Sequence, residues 1–155
     1  HGVPAWIHPA DRFMLADPAA ALGPMGRQLF GDGLAIEQPK EVHDLADGMA
    51  LELAGLQLDV SHTPGHTAGS VVFAARTEEG GKLLFSGDTL FAGGIGRTDL
   101  PGGDHRQILR SLSSKILPMD DDVVVLPGHG PSTSIGRERS GNPFLQDLPE
   151  PDTTA

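Results

Sequence analysis

Three short stretches share one pattern: an apolar run, a glycine, then a side chain able to hold a metal ion. They are Pro64-Gly65-His66, Phe85-Ser86-Gly87-Asp88 and Leu126-Pro127-Gly128-His129. Glycine permits the sharp exit that puts the next side chain at the rim of a sheet. If the strands leading into them are neighbours, His66, Asp88 and His129 converge as two neutral nitrogen ligands and one carboxylate. That set suits zinc, iron or manganese, and the carboxylate can bridge two ions. A single histidine after a glycine is more often a turn residue bonded to backbone, so the threefold recurrence carries the argument. The chain has no cysteine, which excludes thiolate ligands, cysteine nucleophiles and disulfides and leaves any metal to His, Asp or Glu.

These residues need strands to position them. From Leu51 the period is two: Leu51 and Leu53 alternate with Glu52, Gly55 marks a turn, and Leu56, Leu58 and Val60 alternate with Gln57, Asp59 and Ser61. This predicts a hairpin with one buried face. Strands over 70–75 and 82–86, joined by a turn at 77–81, complete a four-stranded meander. Asp104 is an N-cap type of residue ahead of Ile108, Leu109, Leu112 and Ile116 at helical spacing, and Pro118 stops the run. An apolar strand over 123–126, read as buried on both faces, feeds the loop that carries His129. Upstream, a strand over 3–7 ends at His8-Pro9, and a helix over 10–16 is closed by Asp17-Pro18. The stretch 18–40 reads as mostly loop with one helical turn at 25–30, punctuated by Gly23, Gly26, Gly31 and Gly33. Strands and helices in this order predict an α/β architecture.

Composition narrows the function. Lys plus Arg number 11 against 21 for Asp plus Glu, a formal net charge of −10, and no basic cluster stands out, so neither nucleic acid nor a membrane surface is an expected partner. The longest apolar runs, such as Val123-Val124-Val125-Leu126, are far shorter than the roughly 20 residues of a membrane span. The expected location is the cytoplasm. Asp120 to Asp122 read as a solvated turn, because the acids lack calcium-loop spacing. Gly93, Gly94 and Gly96 read as a flexible loop beside the site, since no phosphate-binding Gly-x-Gly-x-x-Gly is completed. His62 either backs the site or simply ends its strand, His8 sits in a strand-to-helix turn, His43 and His105 read as exposed, and His1 is terminal.

Longer stretches then carry a resemblance. His62-Thr63-Pro64-Gly65-His66-Thr67-Ala68-Gly69-Ser70, Ser86-Gly87-Asp88-Thr89-Leu90-Phe91, Gly96-Arg97-Thr98-Asp99-Leu100, Pro127-Gly128-His129-Gly130 and Asn142-Pro143-Phe144-Leu145 occur in order. Together they resemble the metallo-β-lactamase-fold hydrolases, and more narrowly the small glyoxalase II-like, hydroxyacylglutathione hydrolase-like members. The resemblance implies an αββα sandwich in which His66 ligates the first metal ion, Asp88 bridges both and His129 ligates the second. It implies two divalent ions, zinc first among them, that activate a water as hydroxide for attack on a small acyl thioester. Asp88 is thereby the implied catalytic residue. Arg97 falls where such enzymes place a basic residue on the thiol carrier's carboxylate; an ion pair with Asp99 is the equal alternative.

The family's His-x-His-x-Asp-His motif does not occur in the chain, and the resemblance places it upstream of His1. The expectation is therefore a partial sandwich, the C-terminal portion of the domain, over 1–148, with a flexible tail over 149–155. On that view the intact parent is the thioester hydrolase, while this chain has an incomplete site that binds metal weakly or not at all. Two rivals remain. One is an oxidoreductase of the persulfide dioxygenase type, which shares Gly96-Arg97-Thr98-Asp99 and uses one iron ion; the other is a non-catalytic product that keeps the fold without the site.

Overall fold

Prolines cut the first segment into short pieces. The computed structural model describes residues 2–30, 37–146 and 148. Strand β1 (Ala5–Ile7) ends at His8, whose Nδ1 accepts from the Ala10 N–H at 3.3 Å and caps a helical turn, Pro9–Asp11. Helix α1 (Phe13–Ala16) follows, so the helix expected over 10–16 is two pieces. The stretch after it is more helical than expected: Asp17 caps a turn, Pro18–Leu22, which runs into α2 (Pro24–Phe30). Proline at the start of a turn already has helical φ and needs no N–H there, so Pro18 and Pro24 begin helical turns instead of only ending them. Gly31 and Gly33 lie outside the described residues, as does the tail over 149–155. Strand β2 (Val42–Asp44) pairs in parallel with β1, Ala5 opposite Val42. Its three residues carry no alternation of their own, which is why the sequence does not announce it.

The central sheet is built as the alternation predicts. Strands β3 (Ala50–Leu53), β4 (Leu56–His62), β5 (Val71–Arg76) and β6 (Lys82–Gly87) form an antiparallel meander. A small hairpin, β7 (Leu90–Phe91) with β8 (Gly94–Ile95), interrupts the loop that follows. Asp104 then caps α3 (His105–Ser111), its carboxylate accepting from the N–H groups of Arg106 and Gln107 at 2.8 and 3.0 Å. A π-helical segment, Leu112–Ile116, extends α3. Strand β9 (Val124–Pro127) joins β6 in parallel, and β10 (Thr133–Ser134) closes the edge, giving the order β10-β9-β6-β5-β4-β3. Helix α4 (Ile135–Gly141) follows, with Ser134 as its N-cap. Helix α4 is not announced by the sequence, because Gly136 and Gly141 dilute its helical pattern.

Each face of the sheet has its own core. Val72, Leu84 and Val125 pack on Ile108, Leu112, Ile116 and Ile135, all at most 1% exposed. On the opposite face Leu51 and Val60 pack with Leu45, Trp6 and Phe73, which joins the β1–β2 pair to the meander. Two expectations fail here. Leu53 and Leu56 are 38% and 39% exposed at the hairpin tip, beyond the reach of that second layer, so only part of the hairpin face is buried. Val124 is 39% exposed while Val125 is fully buried, so β9 is covered on one face and not on both. The acidic turn also does more than face solvent: Lys82 Nζ donates to Asp120 and Asp122 at 2.6 and 3.1 Å, and Arg139 pairs with Asp121.

Candidate metal centre

Direction explains the convergence. Because β5 is antiparallel to both β4 and β6, and β9 is parallel to β6, strands β4, β6 and β9 all point the same way. Their C-terminal ends share one rim, and the loops leaving them carry His66, Asp88 and His129. The backbone locks two of these exits together through the Gly128 N–H, which donates to Gly87 O at 2.8 Å. The glycines serve different ends. Gly65 and Gly87 hold φ of +141° and +50°, as the pattern requires, whereas Gly128 is not left-handed. It is small because Asp88 Oδ1 would lie 2.7 Å from any Cβ placed there.

The three side chains meet on one carboxylate. His66 Nε2 lies 3.5 Å from Asp88 Oδ2, and His129 Nε2 lies 3.7 Å from Asp88 Oδ1. Each imidazole faces a different oxygen. His66 is the inner ring at 21% exposure and His129 the outer at 74%. His66 Nδ1 sits 2.8 Å from the main-chain oxygen of Arg97. A carbonyl only accepts, so the ring donates from Nδ1, and in the neutral ring the Nε2 lone pair is turned toward Asp88. Two acceptors facing each other at 3.5 Å are complemented by a cation between them, and the Nδ1 bond to a carbonyl is how metal-bound histidines are commonly oriented. Each side of Asp88 therefore presents one ring nitrogen and one carboxylate oxygen, donor types that divalent metal ions accept. The trio is two pairs on a shared acid: among the described residues no group of three or more His, Asp or Glu closes round a common point.

The Arg97 side chain makes the ion pair that was one of its two expected roles. Nε and Nη2 donate to Asp99 Oδ1 and Oδ2 at 2.8 and 2.7 Å, and this fork pulls the Asp99 carboxyl down to about 2. His62 ends β4, and there its Nε2 donates to Ala68 O at 2.9 Å and its ring stacks on His8 at 4.0 Å. His105 is exposed, while His43 is half-buried against Trp6.

Several residues with little local sequence signal support the three side chains. Phe91 packs against the His129 ring with centroids 4.5 Å apart. Its hairpin is held from below by Glu138, only 5% exposed, whose carboxylate accepts from the Gly93 N–H, the Thr133 hydroxyl and the Asn142 amide at 2.7, 2.5 and 2.9 Å. Asn142, fully buried, donates in turn to Gly94 O at 3.0 Å. Gly93 and Gly94 are thus tied down rather than free. The available signal was Ser134, an N-cap residue that would have placed Glu138 and Asn142 one helical turn apart.

A sequence model of the metallo-beta-lactamase superfamily matches residues 1–129. The chain belongs to this superfamily. It is 52% identical over 150 residues to an uncharacterized protein of Mycobacterium tuberculosis, covering 95% of this chain and 66% of that relative. It is 46% identical over 99 residues to the hydroxyacylglutathione hydrolase GloC of Haemophilus influenzae, covering 64% of this chain and 45% of that relative. Among solved structures, the BLEG-1 B3 metallo-beta-lactamase superposes with a TM-score of 0.75 at 38% identity, over 94% of this chain and 66% of that one. A crystal structure of TTHA1623 in a di-iron-bound form does so with a TM-score of 0.69 at 39% identity, over 92% and 65%. These likenesses agree with the mixed α/β sheet described above. The chain spans about two thirds of the length of the curated mycobacterial relative, and no helix among the described residues is long and apolar enough to cross a membrane.

Proposed function

We propose that the protein carrying this chain is a cytoplasmic, metal-dependent hydrolase of small acyl thioesters. The observation that carries the reading is the sharing of Asp88, one oxygen toward His66 and the other toward His129. Support for the substrate class comes from the likeness to GloC, whose name gives it as a hydroxyacylglutathione hydrolase. His66, Asp88 and His129 would hold two divalent ions, zinc first, with iron or manganese as alternatives. Two metal ions held there would supply a water acidified toward hydroxide and positive charge for the developing oxyanion. The chain's residues supply the rest. Asp88 holds the two sides in register, the Arg97 carbonyl aims His66, and the Arg97 guanidinium stands 54% exposed at the rim for an anionic thiol carrier. Water adds to the carbonyl carbon, the carbon–sulfur bond breaks, and a carboxylic acid and a thiol leave.

The test is turnover of a 2-hydroxyacyl glutathione thioester by metal-free protein, followed by additions of Zn2+ or Fe2+ and read as thiol release. Metal-restored hydrolysis is expected. No thiol release with any of Zn2+, Fe2+ or Mn2+ would overturn the reading, and oxygen consumption with one iron per chain would favour the oxidoreductase rival.

A further inference from the structure

A buried acid upstream of the sheet belongs to none of the roles above. Asp11 closes the turn after β1 and is 8% exposed. Its Oδ2 accepts from the Thr67 hydroxyl at 2.5 Å and its Oδ1 from the Gly69 N–H at 2.8 Å. Among the described residues both donors come from the loop that carries His66, and no Lys or Arg pairs with this acid. Burying a carboxylate without a cation is costly. What it offers in return is two charge-assisted hydrogen bonds, shorter and stiffer than neutral ones.

The fit extends along the loop. A Cβ on Gly69 would lie 2.6 Å from Asp11 Cγ, so the loop backbone is pressed against the acid. Ser70 Oγ accepts from the Thr67 N–H at 3.0 Å and bonds the Thr67 hydroxyl at 2.8 Å. At the other end of the same turn, the His8 ring stacks on His62, with the two planes 9° apart, at the residue where β4 becomes the loop. The four-residue turn His8-Pro9-Ala10-Asp11 thus grips the loop both before and after His66.

We propose that Asp11 is a positioning residue for the metal centre: it fixes the loop at Thr67 and Gly69 so that His66 keeps Nδ1 on the Arg97 carbonyl and Nε2 on Asp88. This rests on the metal-ligand reading of His66 given above. The required property is a side chain that bonds both loop groups at once. Asparagine in its place can accept from Gly69 and donate to the Thr67 oxygen, while alanine removes both bonds and leaves the Thr67 hydroxyl to Ser70 Oγ.

Two readouts test this in the full protein. The first is the side-chain 1H–15N spectrum of the histidines without metal, which reports the His66 tautomer. The second is Co2+ affinity, from visible absorption in competition with a chelator. Asp11→Ala should turn the pure Nδ1–H form of His66 into a tautomer mixture and weaken Co2+ binding by roughly tenfold or more. Asp11→Asn should keep the tautomer and stay within about threefold of wild type. Thr67→Val, which removes one of the two bonds with little change in volume, should fall between them and stands in if Asp11→Ala does not fold. An unaltered His66 tautomer in both Asp11→Ala and Thr67→Val would overturn the proposal, even if both melt at lower temperature. Wild-type protein that binds no Co2+ would sink the metal reading alone, because the tautomer comparison still decides the role of Asp11.

Discussion

His66 donates its Nδ1 proton to the main-chain oxygen of Arg97 across 2.8 Å, while the Arg97 side chain turns away into a fork on Asp99. One residue therefore serves two purposes that can be separated by mutation. The carbonyl orients a candidate ligand and survives any side-chain change, whereas the guanidinium is available only to Asp99 or to a substrate at the rim.

Arg97→Ala should raise KM for an anionic thioester roughly tenfold while kcat changes by less than about twofold, because the contact is remote from the carbonyl under attack. The His66 tautomer should not change. Asp99 should lose the largest of the contacts that hold its carboxyl at about 2 and titrate higher, with only its own backbone hydrogen bond left to lower it. A depressed carboxyl contributes stability above its unfolded pKa and loses it as pH falls through the folded value, so this acid-side contribution should shrink without Arg97. Carbon-detected NMR titration of Asp99 and steady-state kinetics check the two parts. An unchanged KM would leave the ion pair as the side chain's whole role.

Asp88→Ala should lower kcat/KM at least about tenfold more than His66→Ala or His129→Ala, since each ring faces only one of the two carboxylate oxygens. Metal analysis of the purified variants should follow the same order. Near-normal turnover in Asp88→Ala would remove the carboxylate from the ligand set.

Glu138→Ala should destabilise the fold by roughly 3 kcal/mol, because it strands three donors under the β7–β8 hairpin. Glu138→Gln keeps an acceptor for the Gly93 N–H and the Asn142 amide, and should cost roughly 1 kcal/mol. Urea unfolding measures both. A cost for alanine no greater than for glutamine would show that the buried network does not hold the hairpin.

Protonation of His8 is disfavoured first by burial and then by the neighbouring His62, with Asp11 and Asp44 opposing. A histidine with a lowered folded pKa contributes stability above its unfolded value of about 6.5 and loses it as pH falls through the folded value. Wild type should therefore lose more stability than His8→Gln between pH 7.5 and 5.5, read from urea midpoints at the two values. Equal losses would mean that the stack on His62 does not sense protonation.

The sequence by itself determined the meander and the capped helix after Asp104, and it singled out the strand exits at which His66, Asp88 and His129 meet, because these rest on local signals. Period-two alternation, an N-cap ahead of helical spacing and a strand ending in glycine are each readable within a few residues. It did not determine which strand faces were covered. Val124 and Val125 carry the same side chain, and only the layer packed on one of them makes it core. Nor could it pair β1 with β2, which hydrogen-bond to each other across more than 30 intervening residues. The supports of the site were hidden for the same reason. Asp11 meets Thr67 and Gly69 from 56 and 58 residues away, Glu138 meets Gly93 from 45, and the Arg97 carbonyl looks like every other carbonyl until a ring is placed against it. Side-chain type can be read along the chain, whereas a buried acid becomes a brace only when tertiary packing has removed water and brought in its donors.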